Sequence, residues 1–191
     1  MNILVLLGKS GSGKDTTLNN LLKYLNGNYR NAILTTTREM REQESQGKPY
    51  NFITEKQFLS KIENGDLIEY RVYTTKFNNI EKEYYYGLEK ESFKDGFNYL
   101  TINTIDGLEM LRKNLPNANI KSVYLTLDDE TRELRAKSRG SFDEIEWNRR
   151  VITDNREFEN ADTICDIVIK NDIQEKVVNK ICSYISKNNM L

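Results

Sequence analysis

The stretch Gly8-Lys9-Ser10-Gly11-Ser12-Gly13-Lys14-Asp15-Thr16-Thr17 constrains the fold more than any other part of the chain. It follows Ile3-Leu4-Val5-Leu6-Leu7, an apolar run that reads as a strand buried on both faces. It precedes Leu18, Leu21, Leu22 and Leu25, which share one face of a helix. A strand, a glycine-rich turn and a helix start are the context that makes G-x-x-x-x-G-K a phosphate site. The glycines let the turn point its N–H groups at phosphate oxygens, and the helix N-terminus adds positive potential. Lys14 then reaches the terminal phosphates of a nucleotide as a point charge. The predicted binding set is Lys9, Ser10, Gly11, Ser12, Gly13, Lys14, Asp15 and Thr16. One position is irregular: Asp15 stands where the commonest form has a Ser or Thr that holds Mg²⁺. Thr16 offers a hydroxyl one place later, and Asp15 alternatively holds the ion through water. Both are candidate Mg²⁺ ligands.

Charge and composition narrow the chemistry. Lys plus Arg (28) and Asp plus Glu (29) nearly cancel, so no polyanion-coating surface and no nucleic acid partner is expected. Phosphate recognition must come from locally clustered cations. The chain has no histidine, which excludes His-based catalysis and His metal sites. Cys165 and Cys182 fit neither a metal pattern nor a disulfide framework. No apolar run is long enough to span a bilayer, and no signal-peptide pattern precedes the first strand. The expectation is a soluble, cytoplasmic protein with no membrane association. Its 191 residues suit one domain with an inserted lobe, and the oligomeric state stays open.

Strand and helix patterns alternate along most of the chain. The first helix is predicted to end near Asn26-Gly27, and Ala32-Ile33-Leu34 reads as a short strand. Thr54-x-x-Gln57 is a capping box before a helix with Phe58, Leu59 and Ile62 on its apolar face. Leu67–Tyr73 and Tyr84–Leu88 read as a strand pair, with polar Lys76–Glu83 as a loop between them. Tyr99–Ile102 and Val123–Leu127 are buried strands, followed by helices carrying Leu108 with Leu111, and Leu134 after the cap candidates Asp128 and Asp129. The last strand is Ile167–Ile169, and the last helix buries Val177, Val178, Ile181 and Ile185. This alternation predicts an α/β fold: a parallel sheet flanked by helices, as in phosphate-loop nucleotide-binding proteins. Residues 35–88 break the pattern with a small antiparallel lobe inserted into a core of residues 1–34 and 89–191.

A second cation cluster lies in that lobe. Arg38 and Arg41 are spaced to fork onto a single phosphate, Glu44 follows, and the Tyr50 hydroxyl can complete the clamp. From here the chain resembles the guanylate kinase family of nucleoside monophosphate kinases. The match runs through Thr36-Thr37-Arg38-x-x-Arg41-x-x-Glu44-x-x-Gly47-x-x-Tyr50-x-Phe52, then Ile68-Glu69, Tyr86-Gly87, Arg135-x-x-x-Arg139-Gly140, Arg150 and Asn171-Asp172.

The resemblance implies that Arg38, Arg41, Tyr50 and Tyr86 hold the acceptor monophosphate, with Glu44 orienting an arginine. It implies that Glu69 reads the base, since a carboxylate accepts the paired N1 and N2 donors of guanine. Arg135, Arg139 and Arg150 resemble the cations of a helical lid at about residues 135–150, and Asn171 the residue beside the donor adenine. The implied reaction is transfer of the ATP γ-phosphoryl group to GMP or dGMP with Mg²⁺, the partners being small-molecule nucleotides. Leu34 and Leu88 depart from the family, which usually has serines there. The strand Leu100–Thr104 lacks the expected acidic residues, so Asn103 or Thr104 stands in for them, and residues 76–83 lengthen the lobe. These departures leave another monophosphate or a sugar phosphate open as acceptor. A non-catalytic interaction module on the same fold is the further alternative, although such domains tend to lose the loop lysine and lid arginines that this chain keeps.

Overall fold

The computed structural model describes residues 1–191 apart from residues 41, 43, 78, 79, 95 and 139–141; for residues 75–77, 80 and 81 it describes the backbone alone. At the centre is β1 (Asn2–Leu7), parallel to β7 (Asn98–Ile102) on one side and β8 (Asn119–Thr126) on the other. With β2 (Tyr29–Asn31) and β9 (Ile167–Lys170) they form, among the described residues, a five-stranded parallel sheet in the order β2-β7-β1-β8-β9. Both faces of β1 are covered, which is why its sequence is continuously apolar. Leu4 and Leu6 pack with Leu18 and Leu21 of α1 (Lys14–Tyr24) and with Val177, Ile181 and Ile185 of α7 (Gln174–Lys187). Ile3, Val5 and Leu7 point the other way, as the two-residue strand period requires. They meet Leu108 and Leu111 of α3 (Ile105–Asn114), Phe158 at the end of α5 (Glu144–Glu157) and Ala161 of α6 (Ala161–Ile164). The C-terminal ends of the parallel strands open on one edge, the usual ligand edge of such sheets. Leu7 runs there into the glycine-rich loop, Ile102 into Asn103, and Thr126 towards Asp128, whose side chain caps α4 (Asp129–Lys137).

The second sheet holds β3 (Thr35–Thr36), β4 (Asn51–Phe52), β5 (Leu67–Phe77) and β6 (Ile80–Glu89) in the order β4-β3-β6-β5. β6 is antiparallel to both neighbours, whereas β3 and β4 run parallel, so the lobe is mixed. Its helix α2 (Glu55–Glu63) begins with the predicted capping box: Thr54 Oγ1 accepts the Gln57 N–H at 3.3 Å, and Gln57 Oε1 accepts the Thr54 N–H at 2.9 Å.

Four local expectations need correcting. The strand near Ala32–Leu34 lies earlier, at Tyr29–Asn31, because Tyr29 turns inward and its hydroxyl donates to the Met190 carbonyl at 2.6 Å. Ala32 and Leu34 are buried while the chain leaves the sheet for the lobe. The polar segment 76–83 is strand rather than loop over Lys76–Phe77 and Ile80–Glu83, in register Lys76↔Glu81 and Phe77↔Ile80. Main-chain hydrogen bonds carry a two-stranded ribbon, and an apolar pattern is not needed for them. On α2, Phe58 is buried but Leu59 is exposed. On α4, Leu134 is 60% exposed and the inward face carries Arg132 instead, which is 1% exposed.

Leu21 lies at the centre of the α1–sheet–α7 layer with no exposed surface. Leu21→Ala is expected to lower unfolding free energy by about 2–5 kcal/mol in urea titration; a loss under about 1 kcal/mol would mean that this layer is loosely packed.

Candidate functional site

The glycine-rich loop is wrapped around its own lysine. Lys14 Nζ donates to the Gly8 carbonyl at 2.5 Å and to the Lys9 carbonyl at 3.2 Å. Gly13 precedes α1 with φ 89°, and no side chain caps the helix start, so the first-turn N–H groups face the loop. A side chain at Gly13 would be strained by that torsion, and its Cβ would meet Asn171 Nδ2 at 2.7 Å. Asp15 and Thr16 in the first turn are exposed, whereas Thr17 is buried and hydrogen-bonded to Gln174 and Asn171. Thr17 thus ties α1 to α7, while Asp15 and Thr16 stay exposed. Among the described residues no group of three or more His, Cys, Asp or Glu forms a metal cage. An exposed carboxylate beside a phosphate loop does fit Mg²⁺, which is commonly held by one or two carboxylates, substrate phosphates and water.

The lobe supplies a second cationic centre. Arg38 NH2 pairs with Glu44 Oε1 at 2.8 Å, and its guanidinium lies 5.5 Å from the ring centroids of both Tyr50 and Phe52. Burial works against the Arg38 charge, but the Glu44 hydrogen bond and the charges of Tyr86, Glu44 and Tyr50 together outweigh it and raise the guanidinium. Tyr86 meets Tyr50 edge-on at 5.6 Å and Tyr73 at 5.5 Å, and the Tyr73 hydroxyl donates to Glu157 Oε1 at 3.0 Å. Arg41 lies outside the described residues.

The two centres lie within electrostatic reach of each other. The Tyr50 phenol is pushed up to about 12, first by burial and then by the charge of Asp15 at the start of α1. Burial raises the Glu157 carboxyl, while Arg71, the Tyr73 hydrogen bond and Lys14 pull it down. Residues of the loop and residues of the lobe therefore act electrostatically on each other. At neutral pH Tyr50 keeps its proton and is a donor for an anion placed between them.

Deeper in the lobe, Glu69 is 3% exposed. Its Oε1 accepts from Asn103 Nδ2 at 3.1 Å, and Arg71 NH1 lies 3.6 Å from its Oε2. Arg71 also donates to Asn103 Oδ1 and, at 3.1 Å, to Thr104 Oγ1. Asn103 thus lies against Glu69. Arg71 escaped the sequence reading, although its place two residues along the strand from Glu69, on the same face, was a usable signal.

The three arginines expected in a lid are divided. Arg135 NH2 donates to the Asn171 carbonyl at 3.1 Å, which brings it beside Gly13. Arg150 is held on its own helix by Glu146, Nε to Oε1 at 2.7 Å. Arg139 lies outside the described residues. Asn171 is fully buried: its Nδ2 donates to the Ser12 carbonyl at 2.6 Å, and its Oδ1 accepts from Gln174 at 2.8 Å. Its side chain buttresses the loop.

A parallel sheet with this loop at the ligand edge, faced across a cleft by an arginine–tyrosine lobe, defines a phosphate-loop nucleotide-binding protein. The family model described as guanylate kinase matches residues 1–188. Guanylate kinase of Helicobacter pylori (strain ATCC 700392 / 26695) is 31% identical over 182 residues, covering 91% of this chain and 82% of that protein. Guanylate kinase of Aster yellows witches'-broom phytoplasma (strain AYWB) is 28% identical, covering 96% of this chain and 84% of that protein. The crystal structure of guanylate kinase from Anaplasma phagocytophilum covers 100% of this chain and 87% of its own, with a TM-score of 0.71 and 22% identity, a likeness of fold. The chain belongs to the guanylate kinase family.

Glu146 gives a test of how α5 is held. Burial raises its carboxyl, but hydrogen bonds from Arg149 and Arg150 outweigh that and hold it at about 2, against an ordinary value of 4.5. A depressed carboxylate stabilises the fold above its unfolded pKa and loses that contribution as pH falls through the folded value. Wild type is therefore expected to be more stable than Glu146→Gln at pH 7, with the gap closing between about pH 4.5 and 2. Urea midpoints measured across that range check this, and a pH-independent gap would contradict it.

Proposed function

We propose that this protein transfers the γ-phosphoryl group of ATP to the monophosphate of GMP or dGMP. The observation that supports this reading is that Asp15 at the loop acts on Tyr50 of the lobe, while Glu157 of α5 is acted on by Lys14 from one side and by Arg71 and Tyr73 of the lobe from the other. The attacking atom is an oxygen of the acceptor's own phosphate, so no residue has to serve as a covalent nucleophile. What the chain supplies is alignment and charge stabilisation. Loop amides of Gly11 and of Gly13 to Thr16, with the Lys14 ammonium, bind the donor phosphates. Arg38, Arg41, Tyr50 and Tyr86 fix the acceptor phosphate in line, with Glu44 orienting Arg38. Mg²⁺, when bound with ATP, neutralises phosphate charge, and Asp15 with Thr16 would hold it.

Glu69 accepts the N1 and N2 donors of guanine, and Asn103 and Arg71 orient its carboxylate. With hydrocarbon at Leu34 and Leu88, polar recognition of the base falls on this carboxylate and its two partners. Residues 35–88 form the acceptor lobe. Residues 135–150 form a lid that brings Arg135, Arg139 and Arg150 towards the transferring group on closure. Closure also excludes water, which would otherwise accept the phosphoryl group. Among the described residues no helix is long and apolar enough to cross a membrane.

ADP release measured with a panel of nucleoside monophosphates tests the reading: turnover is expected with GMP and dGMP and far less with AMP, CMP or UMP. Lys14→Ala should cut turnover by about 10²–10³-fold or more with the circular dichroism spectrum unchanged. Near-normal turnover in that variant would overturn the mechanism.

A further inference from the structure

The outer side of the phosphate loop is gripped by two helices that flank the lid. Ser10 is held through both of its main-chain groups. Its N–H donates to Asp154 Oδ2 of α5 at 2.5 Å, and its carbonyl accepts from Arg132 NH1 of α4 at 2.8 Å. The residues on either side are held too. Lys9 Nζ donates to Asn155 Oδ1 at 2.6 Å, and Gly11 backs so closely on α4 that a Cβ there would lie 2.6 Å from the Arg132 carbonyl.

Arg132 and Asp154 are buried, and NH1 lies 3.8 Å from Oδ2. The Arg132 guanidinium also pairs with Asp129 at 2.7 Å and lies 5.7 Å from the Trp147 ring centroid. Its Nε has no hydrogen-bond partner among the described residues. Burying a charged pair at an incompletely satisfied site is a poor way to gain stability, and apolar replacements of similar volume are often at least as stable. The pair's contacts point to its use: both partners converge on one loop residue.

We propose that Arg132 and Asp154 are positioning residues that set the orientation of the phosphate loop for the donor nucleotide. By fixing the peptide units on both sides of Ser10, they aim the following amides of Gly11 and Gly13 before any anion arrives. A loop already ordered does not spend binding energy on ordering. The same contact sets the depth of α4 against the loop, and Arg135, one turn further along that helix, reaches the Asn171 carbonyl beside Gly13 from there. The inference rests on the phosphoryl-transfer reading and adds these two residues to its machinery.

The test is a steady-state comparison of wild type, Arg132→Leu, Asp154→Ala and the double variant, with thermal midpoints for each. Arg132→Leu leaves buried Asp154 without its counter-charge and Asp154→Ala leaves Arg132 with only the exposed Asp129 as counter-charge, so each should lower the midpoint, whereas the double change removes both buried charges and should recover most of it. In the recovered double variant KM for ATP is expected to rise about tenfold or more, with KM for GMP within about twofold of wild type. A double variant with wild-type stability and an unchanged KM for ATP would overturn the inference and leave the pair a structural element. Should the double variant fail to fold, Asp154→Asn and Asp154→Leu decide. Asn keeps an oxygen for the Ser10 N–H and should hold KM for ATP near wild type, while Leu should raise it; equal values would overturn the inference. Absence of ATP-dependent turnover in wild type would instead defeat the phosphoryl-transfer reading, so the two failures are distinguishable.

Discussion

The structure depends on keeping one loop of main chain open towards an anion while everything behind it is held fast. Lys14 is folded against the carbonyls of Gly8 and Lys9, so the start of the loop closes around the ammonium group. Asn171 ties the Ser12 carbonyl from below, and Arg132 with Asp154 holds Ser10 from outside. Each of these contacts uses a loop group on the loop's closed side. The N–H groups of the first turn of α1 keep their direction towards the cleft. The parallel sheet makes this possible, because β1 is buried on both faces and delivers the loop to the edge where β7 and β8 also end.

The lobe is built on a different principle. Its cleft-facing side is organised by aromatic rings and charge pairs: Tyr50, Tyr73 and Tyr86 pack edge-on, Arg38 is braced by Glu44, and Glu69 lies against Arg71 and Asn103. Charges buried this way are held in fixed directions, which suits recognition of a ligand bearing both phosphate and a hydrogen-bonding ring edge. Asn103 belongs to the core sheet and Glu69 to the lobe, so their hydrogen bond is a seam between the two sheets.

Much of this was legible in the sequence, and for identifiable reasons. The loop, the strand before it and the α1 face could be read because glycine torsions and two-faced burial leave direct traces in residue type. The capping box at Thr54 and the fold class followed from local rules of the same kind. The pairing of Lys76–Phe77 with Ile80–Glu83 escaped because the polar sequence there carries no apolar alternation to read. Leu134 misled because helical spacing marks a face without saying which residue that face will bury; a guanidinium with three oxygen partners took the inward position instead. Arg132, Asp154 and Glu157 were invisible for the same reason. Their partners lie far away in sequence, and no spacing rule connects Ser10 to residue 154. Arg38, Tyr50, Tyr86 and Glu69 were recoverable because the family pattern fixes their order.

The central claim is that the loop and the lobe hold two nucleotides with their phosphates end to end. Calorimetry with an adenosine–guanosine compound whose 5′ positions are joined through five phosphates tests it most directly. Filling both sites with one molecule makes the second contact intramolecular, so it should bind about 10²-fold or more tighter than ATP or GMP alone. Arg38→Ala and Lys14→Ala should each remove most of that gain. Affinity no greater than that of ATP would contradict the account, because it would mean that the two anion sites cannot be occupied across one cleft.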